Sequence, residues 1–223
     1  MSGLDRIAEC KRARTPGAPV PCGRGRLTGA TLIVRRHTIP RVTAEDCDIR
    51  PATPADSSAI RRIRNAAIRD SLAIWTEREQ GPDEAVAWLE PQIARGTALV
   101  AVERNEGGER DDGDDGGERV VGFAVASPWH PYEGYARTVE DSVYLSPAAR
   151  GRGLGTRLLT ALVRACWAAG DRTMVAQIES GHAASRRLHE KAGFALVGTI
   201  PAAGQKHGRI LDLTLMTRRL DRS

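Results

Sequence analysis

Residues 143–159, VYLSPAARGRGLGTRLL, constrain the chain more than any other stretch. An apolar run with the look of a strand enters it, and three glycines and three arginines fill its middle. The residues beyond it are patterned as a helix: Leu158, Leu159, Leu162, Val163 and Cys166 fall on one face, and Gly170 closes the element. Glycine-rich loops that open helices commonly hold phosphate, because their amides can approach an anion closely and the helix end adds its positive dipole.

The same periodicities extend on both sides. From Asp48, a short strand leads into a turn with Pro54 and Asp56. A helix follows, with Ile60, Ile63, Ala67 and Ile68 at three-to-four spacing. A second helix is predicted over 82–95, with Pro82 in its first turn and Ala85, Val86, Leu89 and Ile93 facing inward. Strands are predicted at 97–103, 119–127, 138–146, 173–179 and 194–200, with a last one in RILDLTLMTRRL, and another helix at 183–192. The order is β, α, α, three strands, α, β, α, β, β, which is an α/β fold with a mixed sheet. Residues 104–118, rich in acids and glycine and free of apolar side chains, cannot enter a core, so they are expected to form a solvated hairpin tip. Asp111, Asp112, Asp114 and Asp115 lack the EF-hand spacing, and no metal is expected.

At 223 residues and 41% hydrophobic, the chain has enough for one good core. No apolar run approaches the roughly 18 residues that span a membrane. The first residues lack the apolar core of a secretory signal. Cys10, Cys22, Cys47 and Cys166 show no paired or metal-like spacing and read as free thiols in a reducing compartment, so a cytoplasmic location is expected. Nine of the basic residues fall in 1–48 against five acids there, leaving the remainder nearly neutral within a total of +5. That is not the basic surface of a nucleic-acid binder. Residues 1–47, rich in Pro, Gly and Arg, are expected to be a disordered extension ahead of one domain at 48–220.

A dinucleotide fingerprint needs GxGxxG after the first strand of its unit, but Gly151, Gly153 and Gly155 run as GxGxG, late in the chain. A P-loop needs a lysine that is absent here. A diphosphate still suits the loop, with Arg150 and Arg152 to neutralise it. A tight turn needing glycine only for its dihedrals fits the spacing equally well.

Arg150-Gly151-Arg152-Gly153-Leu154-Gly155 resembles the acetyl-CoA motif Q/R-x-x-G-x-G/A of GCN5-related N-acetyltransferases. IRPATPADSSAIRRIRNAAI, TVEDSVYL, ASRRLHEKAGF and AAGQKHGRILD, in that order, resemble the phosphinothricin and methionine-sulfone acetyltransferase branch over about 48–220. The resemblance implies the family's splayed sheet, with acetyl-CoA as co-substrate. The backbone of Val143, Tyr144 and Leu145 would meet the pantetheine arm, Arg150 through Thr156 the pyrophosphate, and His182 the cofactor's edge. Glu140, in Thr138-Val139-Glu140, is implied as the base that takes the amine proton. Asp141, pointing to the other face, is the weaker candidate.

His189 stands where many members carry a tyrosine that can protonate the departing thiolate, and is expected to assist there or at the acceptor. Trp75, Trp129 and Tyr135 are candidate walls of the acceptor pocket, and Arg137, Lys206 and Arg209 are candidate cations for an acceptor carboxylate. Tyr132 replaces an arginine common in the branch, and the terminal pattern around Gln205 and Ile210 loses both its aromatics. The expected reaction is acetyl transfer to the primary amine of a small amino-acid-like acceptor. Protein N-termini, polyamines or aminoglycosides are the alternative acceptors, and a non-catalytic CoA-binding module is the alternative of another class. Branch members often form homodimers, though no dimer face is evident in the sequence.

Overall fold

The structure is a computed structural model, and it describes residues 47–104 and 117–221. Residues 1–46 and most of the 104–118 tip fall outside the described residues. Strand β1 (Cys47–Pro51) is followed by α1 (Ser57–Asp70), α2 (Pro82–Ala94), β2 (Ala98–Arg104), β3 (Glu118–Pro128) and β4 (Thr138–Leu145). Then come α3 (Leu154–Ala168), β5 (Thr173–Glu179), α4 (Ala183–Lys191), β6 (Ala195–Lys206) and β7 (Arg209–Arg219). The order of elements is the one read from the periodicities.

The strands form one mixed sheet in the order β1-β2-β3-β4-β5-β7-β6. β2 and β3 are near-continuous apolar runs because helices cover both of their faces. On one face Ile60 of α1 and Leu89 of α2 pack on Val100, Val102, Phe123 and Val125. On the other, Leu158, Leu159 and Leu162 of α3 pack among Leu99, Ala124, Val139 and Met174. Those three leucines have no exposed surface, and burying each contributes about 2 kcal/mol. β2 and β3 form the expected hairpin, closed at Arg104 opposite Glu118.

Two expectations need correction. Val86 does not face inward but is 46% exposed. Ala85 and Leu89 take the sheet-facing stripe, and Val86 sits one step round the helix from it. β6 also runs six residues beyond Ile200. Pro201 does not stop it, because 201–203 bulge out of register on this edge strand and the Ala202 amide donates to Asp212 Oδ1 at 2.8 Å.

β4 and β5 are parallel neighbours over only three rungs, Thr138–Thr173, Val139–Met174 and Glu140–Val175. β5 then follows β7 as far as Glu179, while β4 follows β3 to Leu145. The sheet therefore opens between them, leaving the β5-facing edge of residues 141–145 without a strand partner among the described residues. Among the described residues no helix is long and apolar enough to cross a membrane.

Candidate active site

Strand alternation sorts the site into two faces. Glu140, Ser142 and Tyr144 share the face of β4 covered by α1 and α2, because Tyr144 packs on Phe123 at 5.4 Å. Val139, Asp141, Val143 and Leu145 take the face under α3 and α4.

Glu140 occupies the last paired rung before the opening, where Gln177 Nε2 donates to its Oε2 at 2.7 Å. Burial lifts its carboxyl above the ordinary range, the Gln177 hydrogen bond opposes this, and the charge of Asp141 adds to it. The carboxylate is bonded to Gln177, not paired with Arg137. Gln177 was missed in the sequence, where it reads only as one polar residue in an apolar strand.

On the opposite face, His189 Nε2 lies 3.0 Å from Asp141 Oδ2, and its Nδ1 lies 2.7 Å from the Ser185 carbonyl. Both side chains are buried. With acceptors at both ring nitrogens, the arrangement is satisfied by an imidazolium donating twice. Burial alone lowers the imidazole value, but the hydrogen bond and charge of Asp141, with the Ser185 carbonyl, carry it above normal. Glu140 and His189 thus lie on opposite faces of β4, and neither ring nitrogen is left over for a thiolate while this pairing holds.

The glycine loop delivers the chain to α3 with Gly153 as N-cap at φ +78°, and no side chain caps the helix. Gly151 is also left-handed, at φ +75°. The first amides of the 15-residue α3 are therefore available to an anion. Gly155 is buried against Leu188 of α4, where an added Cβ would lie 2.6 Å from the leucine Cδ1. Ser146, where β4 meets the loop, has a buried hydroxyl without a hydrogen-bond partner among the described residues. An unpartnered strand edge, an orphan hydroxyl and an uncapped helix start in one line fit an amide-bearing arm that ends in a diphosphate. Arg150 is exposed beside them. Arg152 turns the other way, its guanidinium bonded to Glu103 and 3.1 Å from Cys47 Sγ. Its charge is shared with a buried acid from β2, a partnership hidden by 49 residues of separation.

The remaining candidates separate. His182 caps α4, with its Nδ1 accepting from the Ser185 amide at 3.0 Å. Tyr135 joins half-buried Trp129 and exposed His130 in an aromatic cluster, at centroid distances of 5.3 and 5.0 Å. Arg137 lines a cavity of about 650 Å³ with Arg95, His130, Tyr132 and Asp171, at the other end of β4 from the glycine loop. Arg209 is exposed at the start of β7. Lys206 is corrected as a candidate for the acceptor carboxylate: it is only 2% exposed, and its ammonium donates to the carbonyls of Ile68, Ser71 and Ile74 at 2.6, 2.7 and 2.6 Å. Three bonds use all of its hydrogens. Another guanidinium, that of Arg64 in α1, lies over the Trp88 ring at 5.0 Å. It sits beside Tyr144, whose phenol burial pushes up to about 12 against the pull of Arg64. Among the described residues no group of His, Cys, Asp or Glu is arranged to hold a metal.

The model of the acetyltransferase (GNAT) family matches residues 63–194. The chain belongs to this family. A Pseudomonas aeruginosa protein named L-methionine sulfoximine/L-methionine sulfone acetyltransferase is 41% identical over 173 residues, covering 78% of this chain and 94% of the relative. The Salmonella typhimurium protein yncA, solved with acetyl-CoA, superposes with a TM-score of 0.69 at 39% identity, covering 79% of this chain and 95% of that one. A phosphinothricin acetyltransferase from Sinorhizobium meliloti, in complex with acetyl-CoA, gives a TM-score of 0.68 at 35% identity, covering 78% and 89%. The protein is an acyl-CoA-dependent N-acetyltransferase, and the opening between β4 and β5 is the GNAT fold's splay.

Substituting the left-handed glycine at the α3 start tests the loop. Gly153→Ala forces an L-residue to φ +78° at a cost of about 1–2 kcal/mol, unless the loop moves. The expected result is an acetyl-CoA KM raised about tenfold, with kcat at saturation within about threefold of the parent. Initial rates against acetyl-CoA concentration measure both.

Proposed function

We propose that the enzyme acetylates the primary amine of a small amino-acid-like acceptor, with Glu140 as the base. The observation that carries this is the half-buried Glu140 carboxylate at the mouth of the splay, oriented by Gln177 at 2.7 Å. An acceptor ammonium must lose a proton before its nitrogen can attack a thioester carbonyl, and a carboxylate held above its ordinary range accepts that proton well near neutral pH. The unpartnered edge of Val143–Leu145 would hold the pantetheine amides as an added strand does. The amides of Gly151–Thr156, with Arg150, would take the diphosphate. The names of the relatives support an amino-acid-like acceptor, and Arg64, on the Glu140 face, is the cation we assign to its acid group.

His189 is assigned to bracing α4 on β4 through Asp141. An attacking amine and a base on one face, with donor chemistry on the unpartnered edge between them, call for direct transfer in a ternary complex. The test is release of free thiol from acetyl-CoA across phosphinothricin, methionine sulfone, methionine sulfoximine, ordinary amino acids, polyamines and peptide N-termini. Turnover is expected with the amino-acid sulfones or phosphinates at the highest kcat/KM. Preference for polyamines or peptides would overturn the assignment.

A further inference from the structure

Lys206 is a buried ammonium that the acetyl-transfer chemistry does not use, and its position is specific. Gly204 pairs with Leu211 and Lys206 with Arg209, so both side-chain directions share a face of the β6–β7 hairpin. Following the rungs inward, Leu211, Leu213 and Leu215 of β7 lie on that face, then Gln177 opposite Leu215. Gln177 carries the bond to Glu140. One sheet face therefore runs from the base, across half-buried Leu213 and Leu215, to the β6 hairpin.

The far end of that strip is closed by the segment linking α1 to α2. Lys206 holds it at three carbonyls, Ile68, Ser71 and Ile74, spanning the end of α1 and the residues after it. Trp75, the next residue, packs the Cε3–Cζ3 edge of its ring against Gly204: a Cβ there would stand 2.3 Å from Cε3 and 2.5 Å from Cζ3. The indole Nε1 donates to the Leu72 carbonyl at 3.0 Å, and the His207 amide donates to Glu77 Oε1 at 2.9 Å. The three Lys206 bonds, the packing of Trp75 on Gly204 and the His207–Glu77 bond hold the 68–77 backbone to the hairpin, and the Trp75–Leu72 bond fixes the tryptophan within it. The buried cation costs desolvation, which draws its value below that of an ordinary lysine, so holding it there must be offset by the three charge-assisted bonds.

We propose that Lys206 is a positioning residue for the acceptor: through its bonds to Ile68, Ser71 and Ile74 it holds Trp75 as the far wall of a trough whose floor is Leu213 and Leu215 and whose near end is Glu140. This rests on the acceptor lying on the Glu140 face. In this arrangement the acceptor's amine meets Glu140 and its side chain runs over the two leucines toward the indole.

Lys206→Met keeps the length of the side chain and removes its three donors. Gly204→Ala leaves the lysine intact and displaces the indole. Both are expected to raise the acceptor KM about tenfold or more, with the acetyl-CoA KM unchanged and kcat within about threefold. In the Lys206→Met protein, amide hydrogen exchange of residues 71–77 is expected to speed up at least tenfold, while exchange in α3 and β4 stays at the parent rate. Should Lys206→Met fail to fold, Gly204→Ala alone carries the kinetic test. An acceptor KM unaltered in the folded variants overturns the proposal, as does an equal rise in both KM values. If the parent turns over no acceptor at all, the exchange experiment still reads the clamp, and the failure then belongs to the assigned reaction.

Discussion

Glu140→Gln is expected to lower kcat by about 100-fold or more, while acetyl-CoA binding, measured by titration, stays within about twofold. Gln keeps the volume and can still bond Gln177, so the loss reports proton acceptance and not packing. The pH profile makes the expectation sharper. The ionised form of Glu140 is the active one, so kcat/KM rises with pH through its value. Burial raises that value above the usual carboxylate range, and the Gln177 hydrogen bond at 2.7 Å restrains the rise. The acidic limb of the parent profile therefore lies above the ordinary carboxylate region. Gln177→Leu removes the restraint and should move the limb further up; Glu140→Gln should abolish it. Because Gln177 is exposed, that replacement leaves stability within about 0.5 kcal/mol, and melting curves check it. A Glu140→Gln protein with near-parent kcat and an unmoved acidic limb would remove Glu140 from the base role.

The order of elements was legible in the sequence because each announces itself locally. The leucine stripe of α3 and the apolar runs of β2 and β3 need only neighbouring residues to be read. The glycine loop was legible for the same reason, and so was the parity of β4 that sends Glu140 and Asp141 to opposite faces. What stayed hidden was partnership across the chain. Asp141 and His189 are 48 residues apart, Arg152 and Glu103 are 49, and Lys206 reaches back 138 to Ile68. Lys206 reads in the sequence as a cation for the acceptor carboxylate because its partners are backbone carbonyls, which carry no mark there. Arg152 looked like a phosphate ligand because the acid that holds it belongs to another strand. Val86 was misplaced for a different reason: in a short helix with a narrow buried stripe, one residue's rotation separates inside from outside.

Asp141→Asn is expected to cost about 3 kcal/mol, the typical effect of removing one partner from a buried ion pair. In a chain of this size that lowers Tm by roughly 6–12 °C. The sign with pH follows from His189. Its folded value is raised above the unfolded one of about 6.5, so the stability it contributes is fully present below that unfolded value. It is lost as pH rises through the folded value. The gap in Tm between parent and variant should therefore be widest at about pH 6 and narrow as the solution becomes alkaline. Kinetics separate bracing from proton donation. A brace predicts that the variant, assayed well below its melting point, keeps kcat within about threefold and an alkaline limb at the parent position. A proton donor to the departing thiolate predicts a lower kcat and an alkaline limb shifted down, since the charge that keeps His189 protonated has gone. Because both ring nitrogens are already engaged on the face away from Glu140, the first result is the expected one, and the second would return His189 to the chemistry.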